Sequence, residues 1–110
     1  MSNDTTLIKE WANPDGIFGE DDFLPDKILE TVCVATNTRA EDIVGERRYR
    51  SIMRARHLYW ACLRRYCGLS YPAIAELTHR HHTTIMDGVA KVPVNVIEAC
   101  GRLYKERNEQ

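Results

Sequence analysis

The chain has 110 residues, of which 44% are hydrophobic and 28% charged, and its formal net charge is −1. That length fits one domain with at most a short appendage, and the composition is that of an ordinary globular protein. No apolar run approaches the ~20 residues of a membrane span, and the N-terminus lacks the basic start and apolar stretch of a signal peptide, so the expected compartment is the cytoplasm.

In chain order, residues 1–25 read as an acidic, loosely ordered arm rich in turn formers, among them Asn13-Pro14-Asp15-Gly16, Gly19 and Pro25. Up to residue 26 there are seven Asp or Glu against Lys9 alone, whereas the rest of the chain carries fourteen Lys or Arg against nine acids. The near-zero net charge therefore conceals a basic body, and local charge is what a phosphate meets once salt screens the remainder. Apolar residues of the arm, such as Trp11 and Phe18, make it a candidate docking segment for the body or for a protein partner.

Residues 26–110 read as the folded domain. Asp26 is a plausible N-cap, and Ile28, Leu29, Val32, Cys33 and Ala35 give one apolar helical face ending near Asn37. Thr38 is expected to cap a short turn through Ile43, with Glu41 as its capping-box partner. Gly45 to Arg50 is a basic loop. A long helix should follow Ser51, with Ile52, Ala55, Tyr59, Cys62, Leu63 and Tyr66 in one stripe of about 100° and Gly68 as its stop. Between Arg47 and Arg65 there are seven arginines and no acid. Trp60 falls off the stripe and is expected to sit under the arm or to face a partner protein.

Ser70 should cap a helix from Tyr71 to about Leu77, with Pro72 tolerated in its first turn. After the short break Thr78-His79-Arg80, a further helix should run from about His81 to Lys91 and bury Ile85, Val89 and Val92. Pro93 should open a last helix through Arg107, with Val94, Ile97, Cys100, Leu103 and Tyr104 facing inward. The fold class is thus all-α, a helical bundle with a helix-turn-helix. The four cysteines fall inside helical patterns and read as buried free thiols.

The ordered set Arg47-Arg48-Tyr49-Arg50-Ser51, Arg54-Ala55-Arg56, Gly68-Leu69-Ser70-Tyr71-Pro72-Ala73-Ile74 and His82-Thr83-Thr84-Ile85 resembles the C-terminal DNA-binding domain of the bacterial replication initiator DnaA. The resemblance covers roughly residues 27 to 92. It implies double-stranded DNA as partner, with His81, His82 and Thr83 at base edges and Arg48 in the adjacent minor groove. Phosphate contacts are expected of Arg47, Arg50, Arg54, Arg56, Ser70, Arg80, Thr84 and Lys91. The chemistry agrees: a helix N-terminus suits a phosphate-lined groove, and threonine and histidine offer groups for base edges. An arginine gains from the negative potential of a narrow minor groove.

Three departures alter the inherited expectation. His81 stands where the family pattern has Asp, the turn is one residue shorter than the family's, and His57 replaces a common Gln. The DNA target is therefore expected to differ. Nothing resembles the phosphate loop G-x-x-x-x-G-K-[ST], so the expectation is a reader without ATPase module, nucleotide or cofactor. His79, His81 and His82 lack a cysteine at zinc spacing, and no metal is expected. Ser70 and His82 lack a nucleophile elbow and the acids are spread singly, which argues against an enzyme. The alternatives are a phage or mobile-element repressor with an unrelated target, or an interaction module that has lost DNA binding.

Overall fold

The computed structural model describes residues 23–108, and the arm before Phe23 lies outside them. Six helices follow one another among the described residues: α1 Pro25–Thr36, α2 Ala40–Val44, α3 Arg50–Tyr66, α4 Tyr71–Thr78, α5 His82–Ala90 and α6 Val94–Asn108. Among the described residues there is no strand, and the fold is the all-α bundle expected. Helix α3 is the axis. It packs against all five of the others, and the core of Ile28, Val32, Ile43, Leu63, Ile74, Ile85 and Tyr104 forms around it.

Local signals explain most boundaries. Pro25 occupies the first turn of α1, where its missing N–H costs nothing, and Asp26 lies inside the helix with Leu24 as N-cap. The expected Asp26 cap thus moves by two residues, and Asp26 serves as a first-turn acid beside the positive helix end. Asn37 ends α1 in the left-handed region at φ 52°, and Thr38 N–H then donates to Cys33 O at 3.1 Å. The capping box expected of Thr38 does not form. Arg39 is the N-cap of α2, and the Thr38 hydroxyl donates to Thr36 O. Gly68, at φ 68°, turns the chain after α3 so that Leu69 N–H donates back to Leu63 O.

Trp60 is not a surface lid. It is 1% exposed and belongs to an unbroken buried run from Leu58 to Leu63. Gly88 of α5 lies over it: a Cβ there would fall 2.8 Å from the indole and 2.7 Å from His57 Cδ2. Close approach of α5 to α3 therefore depends on having no side chain at position 88. Val94 also departs from expectation, being 69% exposed at the start of α6, whereas Cys100 and Tyr104 are buried. At the other end of α3, the Phe23 ring stacks between Tyr66 and Tyr104, each 4.7 Å away, and Leu24 N–H donates to the Tyr104 hydroxyl.

The clearest correction concerns Arg56. It is 1% exposed, and its guanidinium faces inward rather than toward phosphate. Nε donates to Ile43 O at 2.8 Å, and Nη2 donates to Asp42 O and Arg47 O, each at 2.8 Å. Two of those carbonyls belong to the last turn of α2, where backbone acceptors have no helical partner. Burial, with the nearby charges of Arg80 and Arg48, pushes the Arg56 pKa down, and Asp42 opposes the shift.

Two substitutions test this packing in thermal melts followed by circular dichroism. Arg56→Gln should lose about 3 kcal/mol, because carbonyls are left unpaired in the interior, while the exposed Arg54→Gln should change stability little. Gly88→Ala should cost roughly 1–3 kcal/mol by forcing α5 away from Trp60. Unchanged melting of Gly88→Ala would mean that the two helices part freely.

Candidate nucleic-acid interface

Helices α4 and α5 form the helix-turn-helix. The Ser70 hydroxyl caps α4 by accepting from Ala73 N–H at 3.2 Å, as its position before Tyr71-Pro72 predicts. His79 ends α4 in the left-handed region at φ 57°, and Arg80 N–H donates to Ala75 O at 2.9 Å. This closes the turn without a glycine.

Helix α5 begins at His82 rather than His81. His81 is its N-cap: backbone extended at φ −73° and ψ 141°, Nδ1 accepting from Thr83 N–H at 3.3 Å. Nδ1 also lies 2.7 Å from Thr83 Oγ1. The His82 ring stacks on that of His81, centroids 4.7 Å apart. His81, His82, Thr83 and Thr84 are all exposed, while Ile85 behind them is fully buried and fixes the helix to the body. The helix thus presents a polar first turn on an apolar root.

The basic loop is tied to this turn by one side chain. Arg80, the residue before His81, donates from its guanidinium to Gly45 O, and the same group lies over the Trp60 ring at 5.8 Å from the centroid. Arg80 is half-buried, and these two contacts join the loop to the turn before α5. With Arg56 gripping Asp42 O, Ile43 O and Arg47 O, the backbone of residues 42–47 is held from two sides. Arg47, Arg48 and Arg50 themselves are exposed.

Arg50, Arg54 and Lys91 come together around one cleft of about 640 Å³, floored by Met53, Leu58, Val92 and Val96. Lys91 ends α5 and pairs with Asp87 at 3.0 Å, an exposed i,i+4 contact that competes weakly with another anion. Sequence reasoning missed two exposed residues beside these groups. Tyr49, 68% exposed, stands between Arg48 and Arg50, and Met86, 45% exposed, continues the face of His82 and Thr83 by one turn. The spacing of three and four residues was the available signal for Met86. Among the described residues, no three His, Cys, Asp or Glu gather as a metal-ligand set.

His57 also lines the cleft, and its ring lies 5.4 Å from that of Trp60. Burial first, then the charges of Lys91 and Arg56, push its pKa below 6.5, while Asp87 opposes them. The unfolded chain then binds a proton that the folded chain resists. Stability should hold above pH about 6.5 and fall as the solution is acidified through the depressed folded pKa. Urea titrations of the native protein and His57→Gln between pH 8 and 5 check this: the decline should be shallower in the variant.

Comparison with known proteins bears on this surface directly. Residues 25–92 match the family described as the bacterial DnaA protein helix-turn-helix. The chromosomal replication initiator protein DnaA of Gloeobacter violaceus is 39% identical over 66 residues, covering 59% of this chain and 15% of that protein. That of Picosynechococcus is 38% identical over 69 residues, covering 62% and 15%, and that of Kosmotoga olearia 29% over 73 residues, covering 66% and 16%. The chain thus spans about one sixth of the length of these relatives. No solved structure gives a significant match. The matched span runs from the first residue of α1 to the end of the helix-turn-helix, and the chain belongs to the bacterial DnaA helix-turn-helix family.

Proposed function

We propose that this protein is a sequence-specific reader of double-stranded DNA that regulates replication or transcription by occupying a site related to the initiator's recognition box. One observation carries the reading: the exposed first turn of α5 is held beside an arginine loop by Arg80, in a chain of an initiator DNA-binding family. Such a reader works on the chromosome, in the cytoplasm.

The labour divides by chemistry. Arg47, Arg50, Arg54, Ser70, Thr84 and Lys91 neutralise or hold phosphates, which supplies affinity without sequence information. His81, His82 and Thr83 meet base edges in the major groove, and Arg48 enters the minor groove alongside, where it senses width. Arg56 and Arg80 leave the contact set and act by holding the loop. The Thr83 methyl suits a thymine methyl, and Met86 adds apolar surface one turn further along.

Selection of bound duplexes from a random pool should enrich one short asymmetric site. On that site Thr83→Ala should lose roughly 1–3 kcal/mol while keeping its affinity for random duplex. Lys91→Ala should weaken both alike and lower the slope of log affinity against log salt by about one unit. No enrichment together with no salt-dependent affinity would leave a protein-interaction module as the reading.

A further inference from the structure

We infer that His81 reads a hydrogen-bond acceptor on a base edge, so that this protein prefers guanine where an aspartate in the same place would prefer cytosine. The inference deepens the DNA-reading function proposed above and rests on it. Its basis is the cap. Nδ1 of His81 accepts from Thr83 N–H, so the lone pair is on Nδ1 and the ring proton is on Nε2. The ring is held on its face by the stacked His82 and on its Nδ1 edge by Thr83. The opposite edge, carrying Nε2–H, has no hydrogen-bond partner among the described residues, and His81 is exposed.

The same contact sets Thr83. With Nδ1 as acceptor, the 2.7 Å approach of Thr83 Oγ1 is a hydroxyl donating to the imidazole. The hydroxyl proton is thereby committed, and toward a groove Thr83 offers lone pairs and a methyl group. Residues two apart therefore present opposite polarities: a donor on His81 and an acceptor on Thr83. In the major groove, guanine shows two acceptors, N7 and O6, while cytosine shows only the N4 amino donor. A donor at position 81 matches the first and is repelled by the second. A carboxylate at position 81 could cap α5 equally well, yet would present only acceptors.

Three forms of the full chain separate the possibilities: native, His81→Asp and His81→Asn. Asparagine caps with its carbonyl oxygen and turns an amide donor outward, so it should keep the native polarity. Each is put through selection from one random duplex pool, and its melting is recorded. At one position the native chain and His81→Asn should enrich guanine, and His81→Asp should enrich cytosine. On the native site, exchanging that guanine–cytosine pair should cost the native chain roughly tenfold in affinity and favour His81→Asp by a similar factor. The same base in all three pools, or His81→Asn following His81→Asp, would overturn the inference. Loss of all selection in both folded variants would count against it too, since both side chains are sound caps. Failure of the native chain to enrich any sequence would instead remove the DNA-reading function.

Discussion

The structure turns on a buried cation that, among the described residues, is held by carbonyls and not by a carboxylate. Arg56 buries its guanidinium against three backbone carbonyls, two at the end of α2 and one in the loop that follows. Short helices leave their final carbonyls unpaired, and a five-residue helix has almost nothing else. A planar fork of donors satisfies them and, in doing so, welds α2 and the loop to the central helix. The converse also holds: the charge is solvated by these dipoles, so helix end and arginine each make the other tolerable in the interior. Without this contact residues 42–47 would keep only the buried Ile43 side chain and the Arg80 contact to Gly45 O to hold them to the body.

A second arginine extends the grip to the reading head. Arg80 sits in the turn between α4 and α5 and reaches Gly45 O, so the loop and the start of α5 share a support. Trp60 beneath it and the bare Gly88 above complete that support, because the indole fills the space left where α5 approaches α3 most closely. The sequence of dependence runs from a buried aromatic and a missing side chain, through two arginines, to the placement of Arg48 and His81. Arg48 and His81 are exposed, but the groups that place their backbone are not.

Much of this was legible in the residues, and the exceptions have a common physical cause. The Ser70 cap, the stop at Gly68, the two helices of the reading motif and their apolar roots follow from periodicity and capping chemistry. Trp60 was misread because a stripe argument presumes one wet face. A helix packed by five others has six consecutive buried residues, and no stripe describes it. Arg56 was misread because counting charges says nothing of direction: of seven neighbouring arginines, one points inward. Val94 failed for the opposite reason, since the first turn after Pro93 projects beyond the body that the later turns of α6 cover. Position 81 holds a histidine, which is not among the preferred N-cap residues. Its service as a helix cap became visible only once the imidazole could be placed against Thr83.

The arginine loop is held through its backbone, at Gly45 O and Arg47 O, while its side chains take little part in the hold. The fold therefore rests on the backbone of these residues, and the proposed recognition on their side chains. Side chains from Glu46 to Tyr49 can be exchanged with little effect on folding, as long as the carbonyls stay in place. Such a segment is an interchangeable cassette. If the proposed minor-groove role of Arg48 holds, drift in four residues would retune which groove widths are favoured, with the scaffold under no pressure to follow.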